Sequence, residues 1–121
     1  MAVETGYTIA RVDELERSGR WSLVRRTLGI TSFGCNLVEL EPGYSLPEHD
    51  ELARDHEELF FVLAGDAVLS IDGQTRPAPA GTLARVDPPP RRTVRNESDG
   101  PVTLLIVSAP RTSGFTPLDW A

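Results

Sequence analysis

The sequence predicts an all-β domain built as a sandwich or barrel, and three observations lead there. Ten glycines and ten prolines cut the chain into short apolar runs. Several runs alternate with period two, and others are apolar on both faces, as in strands buried within a sheet. The breaks between them carry hairpin and turn chemistry at short spacing. At 121 residues, the chain fits one domain that buries roughly two thirds of its unfolded surface.

Taken in order, Tyr7–Arg11 reads as the first strand. Val12–Ser18 (VDELERS) predicts one or two helical turns, with Asp13 as N-cap and Glu16 three residues on. Trp21–Leu28 and Phe33–Leu40 read as strands. In Glu58–Leu63, Phe60, Val62 and Ala64 share one face and Leu59, Phe61 and Leu63 the other, so this strand is expected to be covered on both sides. Gly65-Asp66 turns into Ala67–Asp72, and Asp72-Gly73 is a hairpin signal. Pro79-Ala80-Gly81 precedes Thr82–Val86. Asp87-Pro88-Pro89-Pro90 forces an extended turn, because each proline fixes its own φ and excludes helix for its predecessor. Thr93–Asn96 and Val102–Ser108 complete the strands, parted by Asp99-Gly100-Pro101. A single domain follows, with a barrel core over about 20–108, an N-terminal arm over 1–19 and a C-terminal tail over 109–121. Phe115 and Trp120 are expected to anchor that tail on the barrel or on a partner subunit.

Composition removes several function classes. A net charge of −6 and a pI near 4.8 repel nucleic acid and anionic membranes, so neither is expected as a partner. All twelve basic residues are arginine. No lysine exists to form a Schiff base or act as a general base. Cys35 is the only cysteine, which excludes an intramolecular disulfide; in an apolar strand it reads as a small core residue. The first thirty residues hold no apolar signal core, and no run approaches the ~20 residues that span a membrane. A cytoplasmic location is expected.

The stretch Glu48–Gly65 (EHDELARDHEELFFVLAG) holds both histidines and six of the eighteen acids. Three readings compete. As one continuous helix it would separate His49 from His56 by ~10.5 Å, too far for one ion with ligands at ~2.1 Å. As a loop leading into a strand it lets His49, Glu51 and Glu58 converge. Glu58 then faces inward with Phe60 and Val62, and a carboxylate there must be paired, metal-bound or protonated. As a solvated loop it leaves Asp50, Asp55, Glu57 and His56 at the surface.

These residues carry a resemblance. Gly43, His49, Glu51, Glu58 and Gly65 resemble the first cupin motif, Gly-x5-His-x-His-x3-4-Glu-x6-Gly, and Gly81 and Asn96 have the right separation for the ends of the second, Gly-x5-Pro-x-Gly-x2-His-x3-Asn. The segments PEHDE and EELFFVLAGDAVLSIDG are similar to those of small single-domain bacterial cupins. The resemblance implies a double-stranded β-barrel of jelly-roll type with an internal ligand pocket, often dimeric. It also implies departures. Glu51 replaces a histidine, and six residues rather than three or four separate it from Glu58. Asp87, Pro89 and Arg92 stand where the second motif has proline, glycine and the metal-binding histidine. Glu51 remains usable as an oxygen ligand, whereas Arg92 is a permanent cation with donors only.

Two functional expectations follow. In the first, the barrel binds a small polar or carboxylate-bearing molecule with no full metal centre. Arg92 faces inward and pairs with Glu51 and Glu58; Phe60, Val62, Leu69 and Leu104 form the apolar wall; and His49 and Glu58 are the candidate acid–base groups. In the second, His49, Glu51 and Glu58 hold one divalent ion (Fe, Mn, Ni or Zn) in a metal-dependent oxygenase or isomerase. Arg92 pointing to solvent beside Arg91 is the alternative to its inward placement. The sequence selects no reaction. A homodimer is expected, since Leu59, Phe61 and Leu63 need cover.

Overall fold

Eleven strands and one short helix make up the fold in the computed structural model, which describes all residues 1–121. They are β1 (Ala2–Glu4), β2 (Tyr7–Ile9), β3 (Arg17–Ser18), β4 (Trp21–Ser22), α1 (Val24–Leu28), β5 (Gly34–Leu40), β6 (His56–Ala64), β7 (Asp66–Ile71), β8 (Gln74–Pro79), β9 (Leu83–Val86), β10 (Arg92–Arg95) and β11 (Val102–Pro110). No helix is long and apolar enough to cross a membrane.

Two sheets face each other. The larger runs β3-β4-β5-β11-β6-β9 and the smaller β10-β7-β8, while β1 and β2 form a separate hairpin. The smaller sheet gains an edge from the segment before the acidic loop, where Ser45 bridges Arg95 and His49 bridges Arg92. Alternation places the core between the sheets. Val38, Leu40, Phe60, Val62, Val86, Val102 and Leu104 come from the larger sheet and Ala67, Leu69, Ala78 and Val94 from the smaller, joined by Leu46. The result is an all-β barrel, as the strand pattern predicts, of the jelly-roll type that the resemblance implies.

Gly65 fixes the close approach of the β6–β7 turn to β11. Its φ is +85°, and a Cβ there would lie 2.2 Å from the Pro101 carbonyl oxygen, so only glycine fits. Asn96 closes the other side of that crossing. Its Nδ2 donates to the Leu40 and Gly100 carbonyls while its Oδ1 accepts from the Ser98 amide and hydroxyl.

Several local expectations are corrected. Trp21–Leu28 is not one strand: β4 ends at Ser22 and α1 follows, stopped by Gly29 in the left-handed conformation at φ +75°. The Val12–Ser18 helix shrinks to a 3-10 turn at Val12–Glu14, where Glu14, not Glu16, accepts from the Arg11 amide. Strand β8 lies where no strand is expected. The tail starts later, because β11 runs to Pro110. Phe115 and Trp120 do not anchor it on the barrel: they are 81% and 84% exposed. Leu59 and Leu63, expected to be covered, lie exposed on the outer face of β6.

Candidate functional site

The acidic stretch resolves into loop then strand. His49 exchanges both backbone hydrogen bonds with Arg92 (3.1 and 2.8 Å), which splices it to the small sheet. The chain then turns through Leu52–Asp55, with Asp55 at φ +52°, and enters β6 at His56. A helix across 49–60 is therefore excluded. The turn folds Glu51 back towards Glu58, and the Glu51 amide is fixed on the Pro88 carbonyl at 2.9 Å.

His49, Glu51 and Glu58 each offer a ligand atom, all within 4.8 Å of one another. His49 Nε2 stands 3.4 Å from Glu51 Oε1 and 3.7 Å from Glu58 Oε1. The same Glu58 oxygen lies 3.1 Å from Arg92 Nε. That contact is a close ion pair without the alignment of a hydrogen bond, and both atoms are enclosed with no hydrogen-bond partner. Burial raises the Glu58 pKa, partly offset by Arg92; Glu51 pushes it further up and His49 pulls it back. Its carboxylate thus sits where its charge costs most and its neighbours only partly compensate.

Arg92 is inward, as the first expectation requires, but its role differs. The guanidinium does not fork onto Glu51 and Glu58. Nη1 donates to the Pro88 (3.2 Å) and Pro90 (2.6 Å) carbonyls, and Nη2 to those of Val86 (3.3 Å) and Asp87 (2.7 Å). Three consecutive prolines supply carbonyls without amides, so residues 86–90 form an acceptor-rich cradle that a planar five-donor cation suits. With these donors used and the side chain 1% exposed, Arg92 does not reach the cavity wall.

The cavity measures about 540 Å³ and opens at one end of the barrel, lined by His49, Glu51, Glu58 and Phe60. The expected apolar wall is only partly there. Val62, Leu69 and Leu104 lie deeper, in packed core around a void of about 10 Å³. Trp21, Leu46 and Ile106 supply the apolar wall instead. Ile106 pairs directly with Phe60 across β11 and β6, two residues beyond Leu104 and so on the same face of the strand. Trp21 and Leu46 carry no such signal. Asp50, Asn36, Ser108, Arg54 and Cys35 also reach the cavity. Burial raises the Cys35 pKa, which keeps it a thiol rather than a nucleophilic thiolate. His56 is half-buried at the start of β6 and outside the cavity.

A metal is implied by the resemblance, and the donor set tests it. Separations of 3.4 and 3.7 Å match the edges of a small polyhedron with ligands at ~2.1 Å. The surroundings oppose it. A divalent ion on Glu58 Oε1 would sit about 5–6 Å from the guanidinium charge, a repulsion on the order of 5 kcal/mol at an effective dielectric near 20. The spacing fits an ion, which the two carboxylates would attract and the nearby guanidinium would hold less firmly.

The fold and this pocket define a small two-sheet barrel with an imidazole and two carboxylates at its open end. The chain belongs to the cupin family: the profile described as Cupin domain matches residues 36–108, more than half of its length. Among solved structures it is similar to a cupin protein from Bacteroides fragilis, at 23% identity and TM-score 0.78 over 93% of this chain and 92% of that one. It is also similar to a sugar phosphate isomerase of the cupin superfamily from Silicibacter pomeroyi (26% identity, TM-score 0.71, 84% and 75% covered). A predicted oxalate decarboxylase from Thermotoga maritima shares the fold (19%, 0.72, 85% and 99%). No curated protein matches the chain.

Proposed function

We propose that this cupin binds a small polar molecule at the open end of its barrel and works without a tightly held metal ion. The observation that carries the proposal is Arg92, a permanent cation 3.1 Å from Glu58 on the strand position where the second motif has its metal-binding histidine. Beside it, a 540 Å³ cavity with apolar walls and a few convergent polar groups has the character of a small-molecule site. His49 and Glu58 are the groups placed for proton transfer if the bound molecule reacts, as in an isomerisation; the sugar phosphate isomerase similarity supports a polar substrate class.

The metal-dependent reading stays as the rival, favoured by the 3.4 and 3.7 Å donor spacings. The proposal also keeps the expected homodimer and cytoplasmic setting. Exposed Leu59, Leu63 and Leu83 on neighbouring strands β6 and β9 support a second copy covering that face.

Screening small polar compounds against chelator-treated protein tests the reading. The expected result is binding that survives chelation and is lost in Ala53→Trp, an exposed rim residue of the cavity. Binding that needs added iron, manganese, nickel or zinc would favour the rival.

A further inference from the structure

Resting on the reading of the cavity as a small-molecule site, we propose that Asn36 and Ser108 determine its specificity by binding two neighbouring hydroxyl groups, so that the ligand is a diol or polyol. The strand register stacks the inner face of β5, β11 and β6 in rows. Val38, Leu104 and Val62 form one row, Asn36, Ile106 and Phe60 the next, and Gly34, Ser108 and Glu58 the last. The first row is packed core; all six residues of the other two line the cavity. Within two rows an apolar surface gains an amide and a hydroxyl. Both side chains are half-buried, and neither has a hydrogen-bond partner in the protein.

Gly34 keeps the hydroxyl reachable. A Cβ there would lie 2.7 Å from Ser108 Oγ, and its backbone is not left-handed. Space rather than backbone shape therefore asks for glycine, as where a ligand approaches a strand closely. The amide of Asn36 and the hydroxyl of Ser108 each both donate and accept, and neither titrates at working pH. A ligand hydroxyl also donates and accepts, so it matches either group in full. A carboxylate only accepts and an ammonium only donates, so each would use part of what the pair offers. Asn36 and Ser108 are diagonal neighbours on adjacent strands, roughly 7 Å apart at their Cα atoms. Two hydroxyls on adjacent carbons, each ~2.8 Å from its partner, bridge that span. Trp21, Phe60 and Ile106 meet the carbon skeleton.

The test uses two probes that share a ring, cis-cyclohexane-1,2-diol and cyclohexanol, titrated into full-length protein stripped with chelator and followed by ligand-observed NMR. The diol is expected to bind about fivefold more tightly, as one additional neutral hydrogen bond gives. Ser108→Ala and Asn36→Ala are each expected to bring the diol down to the level of cyclohexanol, with urea midpoints unchanged because neither group is bonded within the fold. Gly34→Ala is expected to do the same while keeping both polar groups; the Ser108 side chain can turn aside from the new methyl, so the fold survives. A preference that survives any of the three substitutions would overturn the proposal, and so would a loss that comes with a lowered urea midpoint. Equal binding of the two probes to wild type, with both lost in Ala53→Trp, would overturn it while leaving the small-molecule cavity standing. Silence of both probes at millimolar concentration would overturn the cavity reading and the diol with it.

Discussion

Replacing Arg92 with methionine removes a charge that the structure has enclosed and wired. Two of its four carbonyl bonds, to Pro88 and Val86, lie in buried surroundings. Each hydrogen bond to a charged donor contributes about 1.5–3 kcal/mol, and each buried acceptor left bare costs a similar amount. The other two carbonyls, of Pro90 and Asp87, are only part-buried and recover water. Glu58 is left as a buried acid without its counter-ion, a situation that costs about 3–5 kcal/mol when the carboxylate stays ionised. These costs overlap, since Glu58 escapes part of its share by taking up a proton. Arg92→Met is therefore expected to lose about 3–5 kcal/mol, a large part of the 5–15 kcal/mol typical of a domain. Urea unfolding followed by circular dichroism reads this as a lower midpoint at unchanged slope. A double variant with Glu58→Gln is expected to recover about 1–2 kcal/mol, because the uncompensated acid is gone. Wild-type stability in Arg92→Met would refute both the cradle and the ion pair.

Glu58→Gln alone carries a pH signature. The folded pKa of Glu58 is raised above its ordinary 4.5 by burial, so the folded state favours the neutral acid. The stability this contributes is complete below the ordinary value and is lost as pH rises through the raised one. Glutamine keeps the neutral shape, so the variant is expected to match wild type near pH 4 and to gain on it towards pH 7. A gap in urea midpoints that is flat or opens the other way would contradict that environment for Glu58. Gly65→Ala is expected to cost at least about 2–3 kcal/mol, from the +85° φ and the clash with the Pro101 carbonyl; a thermal midpoint within error of wild type would show that the β6–β7 turn is looser than described.

Much of the barrel was legible because its central strands bury apolar side chains. Phe33–Leu40 and Val102–Ser108 nearly coincide with β5 and β11, both interior to the larger sheet. Strand β8 was not legible, and its place explains why. QTRPAP lies at the edge of the smaller sheet, mostly exposed, where no alternation is required and prolines cost no ladder bond. WSLVRRTL misled through its β-branched residues, although Gly29 marked a helix stop. At the site, a loop leading into a strand brings His49, Glu51 and Glu58 together, although the Glu51–Glu58 spacing departs from the motif. The motif did not reveal what Arg92 holds, because its partners are main-chain carbonyls; the proline run Pro88-Pro89-Pro90, rich in acceptors and poor in donors, was the available clue. Alternation alone puts the wall of the cavity one residue pair too deep on β11, at Leu104 rather than Ile106, since it tells which side chains face inward and not where along the strand the packing opens.

Elemental analysis of protein purified without chelator or affinity tag bears most directly on whether a guanidinium has taken over from a metal-binding imidazole in this barrel. Iron, manganese, nickel and zinc together are expected well below one equivalent per chain. One full equivalent of any of them, lost in His49→Ala, would contradict the account.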